Sequence, residues 1–307
     1  MSTHDQKGGT MGTVPMKEGQ AAQGGVFVPA SVRQAILGRL GVSSAVRRLT
    51  QPIPMTALTL KLPRLTGGVA AQWVDEAADS GVDAPTFDSV TLTARKLAVL
   101  VPVTEELLAD ANTGIAEVVA QILADSFAMK EDRAFLGFDD GGPITGLYQE
   151  ALVPKIASTA DIVADTAAAL GAIEAAGYEP TGFVANPKVK ALLRAAKDGS
   201  GRYIFSPSET SGAPDMLWGL PIVFSRQVPV TLGAGTNKTA LFAGDWRQFL
   251  IGDRQDFTLS RSTDAAYVVG AEVRSAFQRH EVLLRAEERV DGVIADPTAF
   301  AVVDLIA

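Results

Sequence analysis

The hydrophobic pattern changes period several times along the chain. Val32, Ile36, Leu37 and Leu40 fall on one face of a helix, which Gly41 can stop. From Thr56 the period becomes two. Leu58, Leu60 and Leu62 alternate with Thr59 and Lys61, which predicts a half-exposed strand ending at Pro63. Val90, Leu92 and Ala94 alternate with Thr91, Thr93 and Arg95 in a second such strand. The connector between them holds Gly67-Gly68, Trp73, Asp75, Glu76, Asp79 and Asp83. It is too long for a tight hairpin, and loops of this length inside a compact domain are uncommon and usually functional.

Leu97–Val103 reads as a buried strand carrying Pro102. Thr104 caps a helix that opens on Glu105-Glu106, placing acids at its positive end. Asn112-Thr113-Gly114 interrupts it. Ile115, Val118, Val119, Ile122 and Leu123 then recur at helical spacing. They predict a long helix to about Leu136, roughly 33 Å at 1.5 Å per residue. Asp161–Ala176 is an alanine-rich helix stopped by Gly177, and Phe183–Ala185 a short buried strand. Asn186-Pro187 opens a helix to about Lys197. Further strands are predicted at Pro221–Ser225, Ala240–Ala243, Phe249–Ile251, Phe257–Arg261 and Glu281–Val290, before a C-terminal tail at Asp296–Phe300. This order of elements predicts an α+β fold. Residues 1–25, rich in Gly, Gln and Thr, have no period and read as a flexible N-terminal arm.

Composition narrows the function. The 307 residues suffice for one large domain or two modest ones. No apolar run approaches the roughly 18 residues of a membrane span. There is no cysteine, which excludes disulfides and thiolate zinc sites and fits a reducing compartment. A formal net charge of −8 argues against sequence-independent nucleic-acid binding as the main task.

The motifs that carry chemistry fail one by one. The two histidines, His4 and His280, are too few for a histidine metal site. Gly233–Thr239 has Asn237 where a phosphate loop needs glycine before the lysine. No serine sits in Gly-x-Ser-x-Gly. Asp75-Glu76 and Glu287-Glu288 are carboxylate neighbours, which point to opposite faces of a strand and so do not converge. They read as solvated or ion-paired charges. The expectation is no catalytic, cofactor-binding or metal-binding residue. Trp73 stands apart: a tryptophan amid an acidic connector has no local core to enter, so it either folds back on its own domain or docks on another subunit, tryptophan being enriched at interface hot spots.

Taken in order, several of these features resemble the tailed-phage major capsid protein family, whose shell fold is shared with the encapsulins. The residues that carry the likeness begin with Val28-Pro29, Leu62-Pro63, Trp73-Val74-Asp75-Glu76 and Phe87 with Val90-Thr91-Leu92. They continue through Lys96-Leu97, Val101–Leu108, Asp132, Phe135-Leu136-Gly137 and Pro143–Leu147. They end at Arg289–Gly292 and Pro297–Phe300.

The resemblance implies an architecture. Residues 1–25 form an arm and 26–56 an N-terminal helix region. Residues 57–96 form an extended loop lying across a neighbouring subunit. Residues 97–150 and 262–307 form a peripheral domain with a long spine helix, and 151–261 an axial domain. Lys61, Arg64, Trp73, Asp75, Glu76 and Asp79 become candidate subunit-interface residues, with bases toward the arms of the loop and acids toward its tip. The implied partners are further copies of the chain in pentamers and hexamers, a separate scaffolding protein and a portal. DNA is enclosed without sequence-specific contact, and no membrane or cofactor is involved. The implied location is the virion, assembled in the bacterial host cytoplasm.

Only about 25 residues precede the first match, which favours a separate scaffold over a cleaved extension. Some members join a lysine of the loop covalently to an asparagine of a neighbour's peripheral domain. Lys61 is the only lysine well inside this loop, and no asparagine occurs from Ser262 to Ala307, so no cross-link is expected. An encapsulin-type shell is the alternative, and a soluble enzyme a distant third.

Overall fold

In the computed structural model, residues 44–69, 71, 73, 83–106, 114–197, 201, 203, 205 and 215–306 are described. The expected arm and the helix of Val32–Leu40 lie outside them.

The largest sheet has six strands in the order β5-β14-β9-β6-β8-β7. They are β5 (Lys155–Ala157), β6 (Gly182–Ala185), β7 (Asp215–Leu217), β8 (Leu220–Phe224), β9 (Thr239–Gly244) and β14 (Phe300–Ile306). All four residues of β6 are buried, as a strand between two neighbours and two layers requires. Helix α2 (Ile162–Ala175) lays Ile162, Ala169 and Ile173 on this sheet, and α3 (Pro187–Ala195) adds Val189 and Leu193. Both helix starts follow their sequence signals. The Asp161 carboxylate accepts from the Val163 and Ala164 N–H groups, and Asn186 accepts from Lys188 with Pro187 at the first turn. Gly177 closes α2 at φ +85°, a conformation that favours glycine.

The second sheet has four strands, β1-β10-β13-β4. They are β1 (Pro52–Pro54), β4 (Arg95–Thr104), β10 (Phe249–Ser262) and β13 (Glu281–Ile294). The long helix α1 (Gly114–Leu136) covers one face. It packs through Leu123, Ala124, Phe127 and Ala128 against Phe257 and Ala286, with Val119 half-buried beside them. Two small ribbons complete the fold: β2 (Thr59–Gly67) with β3 (Thr86–Thr93), and β11 (Ala266–Val269) with β12 (Glu272–Ser275).

Several expectations need correction. Pro63 does not end a strand, because β2 belongs to a two-stranded ribbon with an open edge that tolerates a missing N–H. Leu97–Val103 is an edge strand whose residues alternate between inward and exposed, and Pro102 is allowed for the same reason. Phe249–Ile251 and Phe257–Arg261 are halves of one strand, broken by register shifts between Asp253 and Thr258. The expected tail at Asp296–Phe300 is a short 3-10 turn, Pro297–Ala299, that leads into β14, which is paired on both sides within the six-stranded sheet. On α1 the packed row is one position off the expected stripe: Val118 and Ile122 are exposed. The helix is apolar over more than the face it buries, so periodicity alone left the rotation open. Helix α3 ends at Ala195, two residues before Lys197.

Sheet membership divides the chain elsewhere than the expected limits. β10, placed within 151–261, pairs with β13 in the four-stranded sheet, whereas β14, placed within 262–307, joins the six-stranded one.

Candidate subunit interface

The ribbon of β2 and β3 lies within residues 57–96, the expected extended loop. Its strands pair antiparallel from Thr59 opposite Thr93 to Gly67 opposite Thr86. Leu60, Leu62 and the buried Leu92 anchor its base against Met55, Ala94, Leu250 and Val293. Farther out, among the described residues, Leu65, Val69 and Phe87 are exposed, and Trp73 is fully so at 105%. A large exposed apolar set on one projection marks an interaction surface.

The candidate residues are placed unevenly. Lys61 is exposed on β2. Arg64 turns back onto its own subunit, donating to the Ala295 carbonyl and lying 3.4 Å from Asp88. The side chain of Trp73 meets solvent. Asp75, Glu76 and Asp79 lie outside the described residues.

Beneath the ribbon sits a buried charge centre that sequence reasoning missed. Arg47 forks between two carboxylates, at 2.7 Å from both oxygens of Glu131 and 2.9 Å from both of Asp253. Burial lowers its pKa, but these two partners outweigh burial and hold the guanidinium charged. Glu288, from β13, lies in the same centre. Burial and the adjacent Glu131 carboxylate push its pKa far up, so Glu288 holds its proton at neutral pH. Next to it Asp132 accepts from the Ser44 hydroxyl at 2.7 Å, the Ala45 N–H at 2.9 Å, the Val46 N–H at 3.2 Å and the Ser225 hydroxyl at 3.0 Å. Burial raises its pKa too, against these four bonds. Together the groups clamp the segment from Ser44 to Thr50 onto α1, β10 and the loop after β8. Glu287 and Glu288 do face opposite ways, but neither is solvated: Glu287 is buried and lies 2.6 Å from the Lys96 ammonium. The signal available in sequence was Glu131-Asp132, two acids among the apolar residues that end α1.

The β11–β12 hairpin is a second missed projection, exposing Val268, Val273 and the following Phe277. Its signal was Gly270-Ala271 between short valine-bearing runs, with Gly270 at φ +64° where a two-residue turn needs it. Among the described residues no group of acids and histidines could hold a metal ion, and no helix is long and apolar enough to cross a membrane.

Comparison with known proteins fits this geometry. The phage capsid family model matches residues 24–305. The major capsid protein of Klebsiella oxytoca phage phiKO2 is 27% identical over 280 residues, covering 86% of this chain and 64% of that protein. The probable major capsid protein gp17 of Mycobacterium phage L5 is 24% identical, covering 84% of this chain and 82% of that one. The chain therefore spans less than two thirds of the phiKO2 protein but most of the L5 protein. Among solved structures, one from Mycobacterium phage Adephagia superposes with a TM-score of 0.69 at 23% identity, covering 85% of this chain and 89% of its own. The capsid of an empty GTA particle gives 0.67 at 23% identity, covering 86% and 90%. The α+β fold is thus that of phage capsid shells, and the chain belongs to the phage capsid family.

Proposed function

We propose that this chain is the repeating shell subunit of a tailed-phage head, with no catalytic centre. It assembles with itself into pentamers and hexamers that close around double-stranded DNA. The observation that carries this is the ribbon of β2 and β3 with the fully exposed Trp73 in the connector beyond it, an apolar set that the described residues of its own subunit leave exposed. Two-stranded ribbons are marginal alone and gain hydrogen bonds and burial when laid on a neighbour. Residues 57–96 are the inter-subunit loop. The four-stranded sheet with α1 serves as the peripheral domain, and the six-stranded sheet with α2 and α3 as the axial one. A scaffolding protein and a portal complete the head, DNA is held without sequence readout, and assembly takes place in the host cytoplasm.

The test is electron microscopy of the purified chain, expressed alone and with its scaffold, followed by analysis of particle contents. Closed shells or capsomers are expected, holding DNA when recovered from infected cells. A clean monomer across salt, pH and concentration with scaffold supplied overturns the proposal. Particles filled with one enzyme indicate an encapsulin-type shell instead.

A further inference from the structure

The two faces of the β2–β3 ribbon differ. Residues directly opposite each other on an antiparallel pair share a face, and successive pairs alternate between faces. Leu60 with Leu92, Leu62 with Val90 and Arg64 with Asp88 form the inner face. Lys61 with Thr91, Pro63 with Ser89 and Leu65 with Phe87 form the outer face, and all of these are exposed.

The inner row steps along the end of β13. Leu60 and Leu62 belong to the cluster that holds Val293. Two residues farther on, Arg64 donates to the carbonyl of Ala295, itself two residues past Val293. The Ala295 N–H donates to the Gln248 carbonyl at 2.7 Å, so the acceptor belongs to the body of the subunit. We infer that Arg64 is a latch: it pins the inner face of the ribbon to its own subunit, sets the angle at which the ribbon projects, and so holds the Leu65–Phe87 pair facing outward. The latch acts within one subunit, and its effect on assembly rests on the shell-subunit reading.

The bond is built to open. A guanidinium carries five N–H donors, and this one is only partly satisfied. One terminal nitrogen has the Ala295 carbonyl, the other lies 3.4 Å from Asp88, and the buried Nε has no acceptor among the described residues. The next carboxylate along the chain is already engaged: Asp296 accepts from the Thr298 N–H at 2.9 Å, the Thr298 hydroxyl at 2.7 Å and the Tyr178 hydroxyl at 2.8 Å. Burial raises the Asp296 pKa, but these bonds and the Arg64 charge outweigh burial and hold it below the usual value. Farther out, Thr66 turns across the ribbon and donates to the Thr86 carbonyl at 3.1 Å. One arginine, short of acceptors, thus extends the apolar anchor at the ribbon's base.

Hydrogen exchange in the unassembled subunit tests the latch. In Arg64→Met the amides of residues 64–67 and 86–89 are expected to exchange about tenfold faster than in the parent, the opening allowed by loss of one charge-assisted bond. Those of β13 and β14 are expected to keep their protection, and the melting temperature to stay near the parent's. Arg64→Lys, which keeps the charge and a donor, is expected to recover most of the protection. Asp88→Asn is expected to change it less than about twofold, as an exposed pair contributes little. In assembly, Arg64→Met is expected to lower shell yield at limiting concentration by about tenfold, because only the outward-facing stance is competent. Exchange equal to the parent's overturns the latch. So does an Arg64→Met chain that does not fold, because Arg64 then supports the body. Faster exchange with full shell yield overturns the role in assembly. If the parent forms no shell, the shell reading falls and exchange alone decides the latch.

Discussion

Replacing Glu288 by glutamine tests the buried charge centre. Glu288 is 3% exposed and shares its site with Glu131, Arg47 and Asp253, and its pKa is pushed up first by burial and then by the Glu131 carboxylate. The unfolded chain releases this proton in the ordinary glutamate range, near 4.5. The folded chain keeps it. Between those two values the folded state binds one more proton than the unfolded state. Stability attributable to the protonated Glu288 is therefore fully present below pH 4.5 and lost as pH rises toward the folded value. One proton corresponds to about 1.4 kcal/mol per pH unit, so from pH 5 to pH 7 the loss approaches 3 kcal/mol. Glutamine keeps a donor toward Glu131 and removes the titration. Urea unfolding of the unassembled subunit at half-unit pH steps measures the slope without the concentration dependence that assembly adds. Glu288→Gln is expected to remove most of the decline above pH 5 and to be the more stable protein at pH 8. Glu287→Gln is the opposing control. The hydrogen bond from Lys96 leads the causes that lower the Glu287 pKa, so its contribution is present above the glutamate range and lost as pH falls. An unchanged slope in Glu288→Gln means that the carboxyl is ionised in the folded state, and the reasoning fails.

Phe127→Ala is expected to cost about 3–5 kcal/mol, because Phe127 is 2% exposed and stacks edge-on with Phe257 at 5.1 Å; Val118→Asp, at a site 52% exposed, is expected to move the melting temperature little. A Val118→Asp that unfolds the chain refutes the rotation of α1. Particles are expected to dissolve in hot detergent to a single band at 32.1 kDa, and a ladder of covalent multimers reveals an acceptor other than asparagine. Replacing Arg64–Thr86 by a short Gly-Ser turn leaves Leu62 paired with Val90, so the subunit is expected to melt near the parent temperature while shells fail to form. Unfolding of that variant places the ribbon in its own subunit's core.

Local signals predicted local elements well. The cap at Asn186, the stop at Gly177 and the alternation of Leu60 and Leu62 each depend on neighbours a few residues away, and each holds. What the sequence hid depends on distant partners. Whether Leu97–Val103 is central or at an edge is decided by the sheet order, and no residue within the strand reports it. The rotation of α1 depends on Phe257 and Ala286, over 120 residues downstream. Arg47 meets Asp253 across 206 positions, a pairing that no spacing rule detects. The candidate interface residues were legible only as a segregation of charge, and of those described, Arg64 contacts its own subunit instead. Some residues that carried the family likeness prove to be packing constraints. A side chain on Gly146 would lie 2.2 Å from the Gly137 backbone, and one on Gly292 2.5 Å from the Phe135 ring.

The two larger sheets are joined at one seam. The chain leaves the six-stranded sheet at Gly244, enters the four-stranded sheet at Phe249 and returns from it at Phe300. The two crossings bond to each other, the Asp245 N–H to the Ala299 carbonyl at 2.9 Å and the Ala295 N–H to the Gln248 carbonyl at 2.7 Å. Trp246 packs on Phe300 at 5.6 Å, Phe135 on Phe249 at 5.5 Å, and all four rings are buried. Regions that open or bend easily have few buried contacts, and this seam has many. The body of the subunit is thus built to move as one piece. A closed shell places identical subunits in slightly different surroundings, and the adjustment has to come from somewhere. The outer ribbon, anchored at its base and by Arg64 and exposed at Leu65, Val69 and Phe87, is among the described elements the one whose movement costs its own subunit least. On the proposed shell reading, folding free energy and assembly free energy reside in different residues, which would let the same body enter pentamers and hexamers without repacking its core.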